Sequence, residues 1–210
     1  MPLRKEPLQA IQQFLPEHTF EKILPHLKAY PLHLVVSRDR KTVQGNYRPP
    51  LPNGRQHRIS VNGNLNPYSF LITLLHELAH LYAFVQYGPK IAAHGSEWKK
   101  CFSLLLADFL AANIFPEAIR HALDRYLNNM KASTCTDPQL YKTLKKFDEN
   151  KDDSKMFVED IAEGKHFALP DGRVFQKLEK RRTRYKCIDV SSGHHYTFPG
   201  IAEVYPVQHL

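Results

Sequence analysis

Apolar and polar positions alternate with a helical period over most of the chain and with a strand period near its end. Over 7–30, Phe14, Phe20, Ile23, Leu24 and Leu27 form the apolar faces of two short helices around Pro16. The stretches 32–36, 42–47 and 57–61 are rich in β-formers; Gly45 marks a bulge and Asn53-Gly54 a turn. A small sheet of about three strands is expected there. Asn66-Pro67 is a helix start, a capping residue followed by proline at the first helical position, and Gly88-Pro89 is a stop. The helix between them has about 20 residues and a length of about 30 Å. It is apolar on nearly every side, which places it inside a domain. Its apolar run, 70–85, is interrupted by His76, Glu77 and His80, which argues against a membrane span. Ser96 caps the next predicted helix, where Trp98, Cys101, Phe102, Leu105 and Phe109 recur at helical spacing, and further helices are expected over 116–130 and 138–147.

The pattern then changes. The stretch 148–160 holds six acids against two lysines and has no strong periodicity, so an acidic linker is placed at 151–160. Beyond it, Pro170-Asp171-Gly172 and Ser191-Ser192-Gly193 are turns between runs rich in Val, Ile, Phe and Tyr. The expected organisation is an α+β domain over 1–150, the linker, and a small basic antiparallel β module over 161–210. A chain of 210 residues with 42% apolar content builds a sizeable core, which excludes a disordered or fibrous protein. Three cysteines, Cys101, Cys135 and Cys187, are too few and too irregular for a disulfide framework. With no apolar h-region over 1–6, a cytoplasmic location is expected. The net charge of +8 points to a polyanionic partner without naming one. Basic residues outnumber acidic ones ten to four over 1–60 and eight to five over 161–210, whereas the segments between are close to neutral.

The chemistry sits in that near-neutral middle. His76-Glu77-Leu78-Ala79-His80 places two histidines four residues apart, on one face of a helix, where both imidazoles reach one metal ion. Glu77 lies beside them and can act on a metal-bound water as a general base without being a ligand. Three ionisable groups in an apolar helix are costly to bury unless paired or bound to metal; the bland alternative is a hydrogen-bonded polar cluster. A catalytic zinc takes three protein ligands and leaves a fourth position open. His94 is the best third candidate, because Gly88-Pro89 ends the helix and a loop returns the chain to His94-Gly95. Gly95 would then let the backbone approach the metal closely. His57, His121 and the pair His194-His195 compete with it.

The run Leu74-Leu75-His76-Glu77-Leu78-Ala79-His80, followed by Ala93-His94-Gly95-Ser96-Glu97-Trp98, resembles the SprT-like zinc metalloproteases, to which the eukaryotic Spartan DNA-protein crosslink proteases also belong. That family joins H-E-x-x-H to a third histidine in an H-G-x-x-aromatic motif opening the next helix. The upstream segments Gly45-Asn46-Tyr47 and Ile59-Ser60-Val61-Asn62 look like the strands that precede the family's active helix. The resemblance spans about residues 10–130. It implies a zincin-like metallopeptidase domain, one zinc ion per chain, a protein or peptide substrate and, in the Spartan branch, proteins attached to DNA. Many bacterial members carry a C-terminal zinc ribbon with two cysteine pairs; here the module in that position keeps only Cys187. A four-ligand site from Cys135, His166, Cys187 and His195 has little specificity, and unligated structural cysteines are expected instead.

Two basic sets remain. Lys177, Lys180, Arg181, Arg182, Arg184 and Lys186 crowd one predicted hairpin, where they could track phosphates while Tyr185, Tyr196 and Phe198 stack on bases. Equally, such a charge run can be a solvated face that protects a strand edge. Arg38, Arg40, Lys41, Arg48, Arg55 and Arg58 precede the active helix and suit a nucleic acid or an acidic substrate. The expectation is a zinc metallopeptidase with His76, His80 and His94 on the metal and Glu77 on the water. Its rivals are a DNA-binding protein with a structural zinc site and little proteolysis, and a scaffold that recruits partners through the β module. Tyr82 and Tyr87 lie near enough in sequence to stabilise an oxyanion, without either being assigned.

Overall fold

Asn66 starts the central helix through its own side chain: Asn66 Oδ1 accepts from Ser69 N at 2.9 Å, and Pro67 occupies a position that needs no N–H. The same side chain donates to Leu144 O and Asp148 Oδ1, tying the helix start to the last helix of its unit. The computed structural model describes residues 8–38, 40, 43–128, 130, 137–149 and 152–207. They fall into two units, Met1–Glu149 and Asn150–Leu210.

In the first unit a 3-10 turn, Leu8–Phe14, precedes helix α1 (Phe20–Lys28). Strands β1 (Leu32–Ser37), β2 (Gly45–Arg48) and β3 (His57–Asn62) form a sheet in the order β1-β3-β2. The first pair is parallel and the second antiparallel, which leaves β2 on an edge. Helices α2 (Pro67–Tyr87), α3 (Ser96–Ala111), α4 (Glu117–Asn128) and α5 (Pro138–Lys145) follow. Every residue of α2 from Ser69 to Ala79 is buried. By length and composition α2 could cross a membrane, but 72% of its most apolar window lies inside the protein, as expected of a core helix. Leu71, Leu74, Leu75 and Leu78 of α2 share one core with Ile59 and Val61 of the sheet and with Trp98, Phe102 and Phe109 of α3.

Two local expectations are corrected here. Gly45 is no bulge, since β2 and β3 pair in unbroken register from Gly45↔Val61 to Arg48↔Arg58. Its glycine serves a close approach: a Cβ there would sit 2.5 Å from Glu77 Oε1 and 2.6 Å from Thr73 Cγ2. Ser96 is not the cap of α3. Gly95 precedes the helix with no side-chain cap, and Ser96 Oγ donates instead to Glu97 Oε2 at 2.9 Å.

The second unit is an antiparallel sheet in the order β4-β9-β5-β6-β7-β8, formed by β4 (Met156–Phe157), β5 (His166–Ala168), β6 (Val174–Arg181), β7 (Arg184–Asp189), β8 (His195–Pro199) and β9 (Glu203–Val207). Its core is Val158, Ile161, Phe167, Phe175, Cys187 and Val204. The stretch 151–160 is therefore not a plain linker. It carries β4 and a 3-10 turn, Val158–Asp160, in which Val158 is fully buried while Asp152, Asp153 and Asp160 are exposed and Glu159 is half-buried. Acidic composition concealed a single apolar anchor.

Candidate metal centre

Helical spacing puts the imidazoles of His76 and His80 side by side, with Nε2 atoms 3.2 Å apart. The loop after α2 supplies the third. Gly88 ends the helix at φ 85, Gly95 N returns to Ala92 O at 3.0 Å, and His94 between them takes a left-handed φ of 58. Histidine tolerates that region better than most side chains do. The strained position is thus His94, and not Gly95, whose φ of −70 is ordinary and whose bare Cα instead accommodates Ala92 O. In this pose His94 Nε2 lies 3.0 Å from His76 Nε2 and 3.2 Å from His80 Nε2. Among the described residues, these three form the group of side chains able to hold a metal ion, with no fourth His, Cys, Asp or Glu joining it.

The triangle fits a metal. Nitrogens at about 2.0–2.1 Å from a tetrahedral zinc stand about 3.3–3.4 Å apart, close to the spacing seen. Burial pushes His76 down to about 3 and His80 to about 4, with neighbouring histidines adding to the shift, and lowers His94 as well. All three are neutral at neutral pH, so each can offer a lone pair. Three Nε2 atoms cannot satisfy one another, since each carries either one hydrogen or one lone pair. A shared cation resolves the arrangement.

Trp98, fully buried on the first turns of α3, forms the floor. Its ring lies 4.6 Å from His76, 5.4 Å from His80 and 4.7 Å from His94, and its Nε1 donates to His76 O at 3.4 Å. Phe102 stacks beneath it at 5.0 Å. Glu77 is buried beside the cluster, at 6% exposure, and burial raises its carboxyl to about 8. A hydrogen bond from the Tyr47 backbone N–H and the charge of Arg40 oppose that rise. Arg40 itself is fixed by Nε to Asn62 Oδ1 at 2.7 Å and Nη1 to Ser60 Oγ at 3.0 Å.

The competing histidines are not members of the group. His57 is buried on β3 with Nδ1 2.9 Å from Tyr47 Oη, His121 pairs with Glu117 on the surface of α4, and His194 and His195 are exposed in the second unit. Tyr82 shares a 3.0 Å hydrogen bond with His26 Nδ1, and Tyr87 is partly exposed at the end of α2. Sequence pattern did not single out Tyr47, whose ring lies parallel to that of His80 at 6.2 Å, or the place of Trp98 under all three histidines. Gly45 was a usable signal, because a glycine inside a strand marks either a bulge or a close approach.

The basic hairpin of the second unit divides. Lys177 is no surface cation: at 5% exposure its Nζ donates to Glu159 O at 3.1 Å and to Ile161 O, and sits 4.1 Å over the Tyr185 ring. Lys180, Arg181, Arg182 and Arg184 are exposed around the β6–β7 turn, and Lys186 is half-buried. Arg181 pairs with Glu179, and Arg184 bonds Thr197 through Oγ1 and O. The stacking expectation is also reduced, since Phe198 packs on Phe167 and Phe175, and Tyr185 is covered by lysines. Cys187 is a buried free thiol; Cys135 lies outside the described residues, as do Asp39 and Lys41. Arg48, Arg55 and Arg58 are exposed.

A mixed helix-and-sheet domain whose buried H-E-x-x-H helix meets a histidine just before the next helix brings together three histidines that could hold a metal ion. The family model described as SprT-like family matches residues 9–108, a segment that contains His76, Glu77, His80 and His94 and is similar to that family. No curated protein and no solved structure matches the chain.

Proposed function

We propose that this protein is a zincin-like, zinc-dependent metallopeptidase of the SprT-like kind, acting on protein or peptide substrates. The observation that carries the reading is the triangle of Nε2 atoms at 3.0–3.2 Å with a buried carboxylate next to it in the helix. Three ligands among the described residues, not four, support a site with one position open to water and substrate. His76, His80 and His94 would hold the zinc, which when bound supplies Lewis acidity towards water and the scissile carbonyl. Glu77 takes the proton of the attacking water on its carboxylate and returns it to the leaving amine. Burial raises its proton affinity in the metal-free protein, and a cation held by the neighbouring histidines would lower it again and favour the ionised form that accepts the proton.

A cytoplasmic setting belongs to this reading and is supported by the free thiols of Cys101 and Cys187. So does DNA as a partner, supported by the exposed cations Lys180, Arg181, Arg182 and Arg184. Elemental analysis of the purified, zinc-reconstituted protein is expected to find one zinc per chain, and His94→Ala is expected to lose most of it. Full zinc occupancy in that variant would mean that the third ligand lies elsewhere.

A further inference from the structure

Strand β2 does more than close the small sheet. Gly45 and Tyr47 lie two residues apart and so share a face, and both meet α2. At Gly45 the approach is so close that no side chain fits beside Glu77 and Thr73. At Tyr47 two different groups of the strand reach two different members of the site. The backbone N–H of this edge strand is hydrogen-bonded to the Glu77 carboxylate, and the side-chain ring lies 6° from parallel with His80 at 6.2 Å between centroids.

The ring has little freedom of its own. It stacks on His57 at 5.9 Å and 22°, it meets Phe84 at 6.3 Å, and its hydroxyl shares the 2.9 Å hydrogen bond with His57 Nδ1. His57 is buried on β3 and held edge-on by Phe84 at 5.8 Å and by Tyr30 at 6.2 Å. The three histidines are therefore braced unequally. His76 and His94 lie closer to Trp98 than His80 does, and His76 also has Phe102 at 5.9 Å. The tyrosine from the sheet braces His80 in addition. Partners outside the ligand shell fix ligand orientation, and losing one typically costs about 10–100-fold in metal affinity or activity.

We infer that Tyr47, anchored by His57, is the positioning residue that sets the ring plane of His80 and the carboxylate of Glu77 together. Its consequence for catalysis rests on the metallopeptidase reading; its consequence for the metal does not. Chelator competition measures zinc affinity, and the fluorescence of the chain's single tryptophan, Trp98, reports metal binding from the floor of the site. Tyr47→Leu keeps the backbone N–H and much of the bulk but loses the flat ring and the anchor. It should weaken zinc binding by about tenfold or more and lower kcat with KM held. Tyr47→Phe keeps the ring and should fall between that variant and the parent. His57→Phe should reproduce the Tyr47→Phe loss, and the double variant should add nothing further, because one hydrogen bond is removed in all three. Parental zinc affinity in Tyr47→Leu with only a lower Tm would overturn the inference and leave Tyr47 as packing. Additive losses in the double variant would overturn the anchoring by His57. If even the parent cleaves no peptide bond, the metallopeptidase reading fails, while the affinity series still decides the role of Tyr47.

Discussion

Each unit of this protein buries ionisable groups, and the two resolve the cost in opposite ways. In the second unit Lys177 lies on the inner face of β6, two residues after Phe175, yet its ammonium finds two backbone carbonyls and an aromatic face within its own unit. The charge is satisfied by the protein. In the first unit the nitrogens of His76, His80 and His94 converge on one another, where neutral imidazoles cannot all be satisfied together. Burial alone therefore does not mark a functional group. Convergence of lone pairs on a shared point does.

The contrast is sharpest in the pH dependence of the metal-free protein. Folded His76 titrates near 3 and His80 near 4 against a usual 6.5, so from about 6.5 down to those values the unfolded chain binds more protons. Stability from these groups is lost as pH falls through that window, by up to about 1.4 kcal/mol per group per pH unit. Glu77 acts with the opposite sign. Raised from 4.5 to about 8, it binds more protons folded than unfolded, and its contribution is lost as pH rises towards 8. Urea denaturation of the metal-free chain should show both arms for the first unit. Glu77→Gln should remove the alkaline arm alone, and an unchanged alkaline decline would show that Glu77 ionises freely.

Burial lowers the proton affinity of Lys177 from the usual 10.5 against the opposing charges of Cys187, Asp160, Glu159 and Glu163, so its contribution to stability is lost as pH falls from 10.5 through its lowered value. Replacing it with Met leaves the carbonyls of Glu159 and Ile161 without their donor, at about 1–3 kcal/mol for each buried group left unsatisfied. A fall in the Tm of the second unit with unchanged zinc content is the expected outcome. A stable Lys177→Met protein would instead mean that the carbonyls find water.

The smallest effect concerns the exposed part of the same hairpin. If Arg181, Arg182 and Arg184 meet phosphates, DNA affinity should fall with salt at a log-log slope of about −0.9 per neutralised phosphate on duplex and about −0.7 on single strands. Replacing all three with Ala should flatten the slope by roughly that increment for each phosphate left without its arginine. Parental affinity and slope in that variant would remove the second unit from DNA binding.

Much of the site could be read along the chain because its geometry is local. His76 and His80 are one helical turn apart, Asn66-Pro67 and Gly88 bound their helix, and the loop from Gly88 to Gly95 is short enough to bring His94 back. The bracing could not be read in the same way. Tyr47 meets His80 and His57 only because β2 pairs with β3 and then lies on α2, a tertiary arrangement without a sequence period. Lys177 was legible in principle from strand alternation, since Phe175 and Lys177 share a face, but the charge run around it pointed to an exposed cation, whether on phosphates or in solvent. The register shift between Lys177 and Lys180 separates the buried lysine from the exposed cations that follow. At 151–160 composition misled for a similar reason, with one buried valine outweighing its acidic neighbours.

Whether the three histidines hold a metal on which Glu77 does proton chemistry is decided by one comparison. Cleavage of unfolded casein is measured for the parent and for Glu77→Gln at equal zinc content per chain. Glu77→Gln is expected to keep its zinc and its fold and to be slower by at least about 10²-fold. Cleavage at the parental rate by a zinc-loaded Glu77→Gln protein would contradict this assignment.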